Sequence, residues 1–390
     1  MIDTQVHFRE PGLEHKEDLE SGTRAALMGG VTTIFEMPNT NPPTTTAEAL
    51  AQKLRLAEGR AWCNYAFFVG ASPENSHLLA TLENLAGTPG VKIFMGSSTG
   101  SLLVEDDETL RAVLRSGKRP CPVHSEDEPR LRERKALLSS NPHPREHPFL
   151  RDEESARLST ERLIRLVRET GRPVHILHIS SAAELPLLRQ AKEEGLPITC
   201  EITPQHLLLD SSWYETIGAY AQMNPPIRSS EVRSALNEAF QNDLFDVFGS
   251  DHAPHTKEEK AKPYPQSPSG MPGVQTILPL LIDQVLGGSF TFEKLVRMGS
   301  ENPASLYGIA GKGQVKEGFD ADLVVVDPGQ AQTVTEEWLE SKCGWSPYTG
   351  QTLRGKVRDV VIGGHWSVQG GARIGEPKGS CVSFDWKEPA

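Results

Sequence analysis

The sequence predicts an α/β chain built as a (β/α)8 TIM-type barrel, with a small β-rich appendage formed by the C-terminal segment. Three observations predict it. Short apolar runs alternate with charged segments of helical period, which is the pattern of a parallel sheet covered by helices. Reactive side chains sit where those runs stop, and the strand ends of such a barrel are where its chemistry is built. The chain is 390 residues long and 37% apolar, enough for one large core rather than several small ones.

Taken in order, the first run opens the stretch Ile2–Gly12, whose alternation stops at Pro11-Gly12 and puts Gln5, His7 and Arg9 on one face. Further strands are expected at Val31–Met37, Trp62–Val69, Val91–Met95, Cys121–His124, Val174–Ile179, Ile198–Ile202, Ala221–Asn224 and Asp246–Ser250. That makes nine candidates for eight places, and Ala221–Asn224 is the one that also reads as loop. Glu161–Thr170, Ser181–Glu194 and Glu231–Gln241 read as amphipathic helices between them. Lys260–Gly273, rich in Pro, Ser and Gly, reads as a long surface loop beside a strand end, placed to act as a lid. After about Gly313 short β runs separated by Gly and Pro take over, so residues 1–312 are assigned to the barrel and 313–390 to the appendage and tail.

Composition narrows the partners. A formal net charge of −12 with both signs interspersed leaves no basic stripe for nucleic acid and no polybasic anchor for lipid. No stretch approaches the roughly 20 apolar residues of a membrane span, and no signal-peptide pattern opens the chain, so a cytoplasmic protein acting on a small molecule is expected. The five cysteines are scattered, odd in number and lack a CxxC pair, which argues against both disulfides and a thiolate metal site.

The candidate site residues are His7, Lys92, His124, His178 and Asp251. Each alone has an ordinary structural explanation, a core histidine, a snorkelling lysine or a turn cap. Their joint occurrence at strand ends selects the chemical one. Imidazoles and carboxylates suit zinc, and a lysine within an apolar strand is costly as a cation. Its neutral amine can take up carbon dioxide, and the resulting carbamate is an anionic oxygen ligand able to bridge two metals.

The motifs Asp3-x-x-x-His7-Phe8-Arg9-Glu10-Pro11-Gly12, Met37-Pro38-Asn39-Thr40, His124-Ser125-Glu126-Asp127, His178-Ile179-Ser180, Asn224-Pro225-Pro226-Ile227-Arg228 and Asp251-His252-Ala253-Pro254-His255 occur in one order. With Cys343-Gly344-Trp345-Ser346-Pro347-Tyr348-Thr349-Gly350, they resemble the dihydroorotases of the amidohydrolase superfamily, from Ile2 to about Gly364. The resemblance implies that His7 and Asp251 bind one zinc, that His124 and His178 bind another, and that carboxylated Lys92 bridges them. It implies that Arg9, Asn39 and His255 hold a substrate carboxylate, that Asn224 contacts the pyrimidine ring, and that Asp251 also shuttles the proton. The implied reaction is reversible hydrolysis of dihydroorotate to N-carbamoyl-aspartate in pyrimidine biosynthesis.

Two departures bear on these expectations. The family's Asp-x-His-x-His carries Gln5 at its first histidine, so one tight zinc and a second that is weak or absent are expected. The resemblance also implies some fifty residues before this strand, so either the start lies further upstream or the appendage is one-sided. Competing readings are another cyclic-amide hydrolase, an allantoinase or hydantoinase, and a non-catalytic subunit of an aspartate carbamoyltransferase, which Gln5 favours. Arg9 and Asn39 favour dihydroorotate, and a homo-oligomer able to associate with aspartate carbamoyltransferase is the expected assembly.

Overall fold

A computed structural model describes residues 1–97 and 102–387. The apolar runs form parallel strands: β1 (Ile2–Val6), β2 (Thr33–Glu36), β3 (Asn64–Phe67), β4 (Val69–Gly70), β5 (Val91–Phe94), β6 (Cys121–His124), β7 (Val174–Ile176), β8 (Ile198–Ile202) and β9 (Val247–Phe248). β3 and β4 are one strand line interrupted at Phe68, whose N–H still donates to Glu36 O at 3.0 Å. Eight lines therefore run side by side, in the orders β1-β2-β3 and β4 through β9. The ring closes where Val6 bridges His252 in parallel, with His7 N donating to His252 O at 2.8 Å. Asp3 fastens the same seam, since its Oδ1 accepts from Ser250 N and from Gln5 N.

The strands are buried on both faces, as a parallel sheet covered by helices requires, and their side chains form the largest apolar cluster of the molecule. The helices follow local rules. Asp18 caps Leu19–Met28 through a capping box, and Asp152 caps Glu153–Thr170, which ends at Gly171 in the left-handed conformation. That last helix begins eight residues before the expected Glu161. Its first two turns bury Ser155, Ala156, Ser159 and Thr160, small or hydroxyl side chains that a search for apolar periodicity passes over.

Ala221–Asn224 is not a strand. It leaves a 3₁₀ turn at Gly218–Ala221 and runs as loop, buried through Met223 and half-buried at Asn224, because Pro225 and Pro226 cannot donate to a ladder. The region Lys260–Gly273 starts at the end of a short helix, Lys257–Lys260, and is mostly anchored rather than free, with Tyr264, Ser267 and Gly270 buried.

β10 (Leu323–Thr333), β11 (Thr352–Ile362), β12 (His365–Gln369) and β13 (Ala372–Arg373) make one antiparallel sheet. β11 lies against the helix Ile277–Leu286 so closely that a side chain at Gly355 would meet Ile282 at 2.5 Å. The tail returns to the barrel: Tyr65 N donates to Ser380 O and Val382 N to Tyr65 O. Among the described residues no helix is long and apolar enough to cross a membrane.

Candidate active site

The carboxyl ends of the strands bring the expected residues to one place, and the backbone there is strained. Among the described residues only four non-glycine positions have positive φ, and three of them are Arg9 (67°), His178 (36°) and Asp251 (45°). Such conformations cost about 1–3 kcal/mol each and persist where the surrounding structure over-determines them. At Asp251 and His178 the chain turns out of β9 and β7, which aims side chains that would otherwise alternate across the sheet.

On one side of the site His7 Nδ1 lies 2.7 Å from Asn39 Oδ1, and its Nε2 lies 3.3 Å from Asp251 Oδ1. An amide oxygen only accepts, so Nδ1 carries the proton and the Nε2 lone pair faces the carboxylate. Gln5 donates its amide N–H to the same Asp251 oxygen at 3.2 Å, and its own Oε1 is buried with no hydrogen-bond partner among the described residues. Burial holds His7 below the ordinary imidazole pKa, hence neutral.

On the other side His124 Nε2 is 2.8 Å from Glu126 Oε2. Burial would raise the Glu126 carboxyl, yet Arg151 at 2.6 Å, together with His124, holds it well below the usual carboxylate range. The carboxylate therefore accepts a hydrogen bond from Nε2–H, and His124 Nδ1 is left facing His178 Nε2 at 3.1 Å, with the rings at 79°. Burial keeps both imidazoles neutral. His178 is held from behind by Glu201, whose Oε1 accepts its backbone N–H at 3.1 Å.

Lys92 is within electrostatic reach of both pairs, through Asp251 on one side and His124 and His178 on the other. Burial draws its amine down to about 7, Asp251 opposes that shift, and its own field reaches His124 and His178. The ammonium group sits 4.5 Å from the centre of the Phe94 ring. Among the described residues no three of His, Cys, Asp and Glu are grouped to hold a metal ion. Each side has two such donors, His7 with Asp251 and His124 with His178. The donor chemistry fits zinc if Lys92 supplies an oxygen ligand to both pairs, and Gln5 adds only an amide.

A small pocket beside this cluster is lined by His7, Arg9, Asn39, Asn224, Asp251, Ala253, Ser269 and Gly270. Arg9 is 1% exposed and makes no ion pair among the described residues; it donates to Pro254 O and approaches His255 Nε2 at 3.3 Å. Burial lowers its pKa only to about 10, so it remains a cation. His255, expected at the substrate, is 1% exposed and stands behind Arg9, between Lys16, Glu259 and Ser269 O. Trp345 of the C-terminal motif donates its indole N–H to His255 O at 2.8 Å.

Sequence reasoning missed several residues. Glu201 is a carboxylate inside an apolar strand, a pattern that could have marked it. Burial raises its pKa to about 8, and Gly249 is needed beside it because a Cβ there would lie 2.2 Å from its carboxylate. His147 was missed as well. Its Nε2 is 3.0 Å from both Met223 O and Asn224 Oδ1. Met223 O can only accept, so Nε2 is protonated, and the Asn224 amide is turned to present its NH2 group away from His147. No local pattern announces either His147 or Arg151.

The chain matches the model of the Amidohydrolase family over residues 1–137 and 145–367. It is 35% identical over 360 residues to a dihydroorotase of Methanosarcina mazei, covering 90% of this chain and 78% of that protein. It is 36% identical over 352 residues to one of Halobacterium salinarum, covering 90% and 81%. It is also 35% identical to the Multifunctional protein CAD of Squalus acanthias, covering 93% of this chain but 14% of that one. Among solved structures, the L-hydantoinase (dihydropyrimidinase) from Arthrobacter aurescens superposes with a TM-score of 0.92 at 28% identity, over 98% of this chain and 87% of that one.

Proposed function

Because this chain belongs to the amidohydrolase family and, within it, to the dihydroorotases, we propose that it opens the cyclic amide of dihydroorotate reversibly to N-carbamoyl-aspartate in pyrimidine biosynthesis. One observation carries the choice of substrate: Arg9 is a buried guanidinium at the wall of the pocket, with no carboxylate in ion-pair distance among the described residues. A ligand carboxylate would meet its N–H donors as a direct partner, which the more distant Asp251, Glu36, Glu259 and Glu17 do not provide. Asn39 and Asn224 line the same wall. Asp251, with Oδ1 already accepting from Gln5 and facing His7, takes the proton of the attacking water and passes it to the leaving amide nitrogen.

We propose zinc as the metal, held by His124 and His178 with Lys92 as its carbamate, and more weakly by His7 and Asp251. Bound there, zinc would supply a Lewis acid for the ring carbonyl and a lowered pKa for water. Formation of the carbamate joins the neutral Lys92 amine to carbon dioxide with loss of one proton. The cytoplasm and a homo-oligomer are the proposed setting. The CAD relative, in which this unit fills a small share of a longer protein, supports the proposal of association with a carbamoyltransferase; co-elution with purified aspartate carbamoyltransferase tests it.

The second reading is a hydantoinase, favoured by the superposition on hydantoinase structures. Turnover of dihydroorotate measured against dihydrouracil, the same ring without the carboxylate, separates the two. Preference for dihydroorotate is expected; equal turnover of both would overturn the substrate assignment, and no turnover of either with metal bound would favour the non-catalytic subunit.

A further inference from the structure

Lys260 is a buried lysine that the reaction above does not use, its amine drawn down to about 7 by burial. It is 1% exposed, and no carboxylate lies within ion-pair distance of it among the described residues. Its Nζ donates instead to three carbonyl oxygens: Pro268 O at 2.9 Å, Gly270 O at 3.1 Å and Gln222 O at 3.4 Å. Three acceptors around one nitrogen match the three N–H groups of an ammonium, and Trp345 closes the remaining side with its ring centre at 5.6 Å. Burial of such a group is costly, and the three hydrogen bonds offset part of that cost.

What it ties together is the wall of the pocket. Gln222 stands two residues before Asn224, while Pro268 and Gly270 flank Ser269, and Ser269, Gly270 and Asn224 all line the pocket. Two further bonds run along the same seam: Gly270 N to Gln222 O at 2.8 Å, and Ser267 Oγ to Gln222 Oε1 at 2.7 Å. Gly270 can be nothing larger there. Its φ is +143°, and a Cβ would lie 2.3 Å from Ala253 O. The loop expected to be a free lid is instead riveted shut at its far end.

We propose that Lys260 is a positioning residue for substrate binding, its ammonium pinning the segment 261–270 to Gln222 so that Ser269 and Gly270 face Asn224 across the pocket. The KM part of the test rests on dihydroorotate being the substrate; the exchange part does not. In Lys260→Met, of similar volume but without donors, amide hydrogen exchange across 261–271 should quicken about ten-fold or more. The KM for dihydroorotate should rise roughly ten-fold while kcat stays within about three-fold, since the loss falls on binding shared by ground and transition states. Ser267→Ala, which removes one hydroxyl from the same seam, should move both readouts the same way by about two- to five-fold. It decides the matter if the lysine variant fails to fold. Unchanged exchange and KM in the variants, or a fall in kcat at constant KM, would overturn the proposal. Absence of dihydroorotate turnover in the unmodified protein would count against the substrate alone, leaving the exchange rates to decide the clamp.

Discussion

The two sides of the site differ in how their imidazoles are held. His124 is oriented by a carboxylate that is itself clamped by Arg151, so its free nitrogen is fixed opposite His178. His7 is oriented by the neutral amide of Asn39, and its neighbour Gln5 spends its N–H on Asp251 while its oxygen stays unpaired. One side is organised by charge, the other by amides. A charged partner raises the basicity of a ligating imidazole and fixes its ring, which an amide does less well. The same set of strand ends thus provides one well-prepared pair and one loosely prepared pair, joined at Lys92.

The largest effect should come from removing what the two sides share. Lys92→Ala is expected to lower dihydroorotate turnover by about 10³-fold or more and to strip metal from both sides, because each keeps only two donors. Elemental analysis alongside turnover checks it; full metal content in the variant would break the comparison at its root. Arg9→Met should come next, raising the KM for dihydroorotate about a hundred-fold while metal content and dihydrouracil turnover stay as they were. Unchanged affinity would show that the buried cation does not read a carboxylate.

Glu126→Gln addresses the charge-organised side alone. Metal affinity there should fall about 10- to 100-fold, the usual effect of losing the partner that orients a ligating histidine, and competition with a chromogenic chelator measures it. If affinity holds, charge behind His124 is not what distinguishes the sides. Gln5→His makes the converse change, and a second metal equivalent should survive dialysis that removes it from the native protein, a gain of about ten-fold. Two equally tight metals in the native protein would erase the asymmetry.

The smallest effect lies outside both sides. Burial lowers the pKa of His147 to about 4, below its ordinary 6.5, so between those values the unfolded chain binds more protons than the folded one. The stability that neutral His147 contributes is present above pH 6.5 and is lost as pH falls toward 4, by up to roughly 3 kcal/mol. In His147→Gln the urea-unfolding free energy should lose about one proton's worth of slope in that window. An unaltered slope would mean that His147 does not titrate in the fold.

Much of this was legible before any coordinates. The strands from Val91 to Ile202 fall within their expected runs, because apolar alternation and its interruption are local properties of the chain. Ala221–Asn224 was ambiguous for a local reason, an apolar run abutting two prolines. The partners of the site residues were a different matter. Arg151 reaches Glu126 from 25 residues away, and Lys260 reaches Gln222 from 38.

By itself the sequence determined which reactive groups the strands carry: His7, His124, His178 and Asp251 at strand ends and Lys92 within β5, with Arg9 beside the first and Gln5 in place of an imidazole. Side-chain type and strand period are set by residues within a few positions of one another, so a linear reading recovers them. Only the tertiary structure decided which histidine nitrogen carries its proton, that Arg9 makes no direct ion pair among the described residues, that His255 stands behind it, and that Lys260 rivets the loop. Those outcomes hang on closure of the barrel, which sets Gln5 3.2 Å from Asp251 across 246 residues of chain. Hydrogen bonds and desolvation depend on distance in space, and no spacing along the chain encodes that distance.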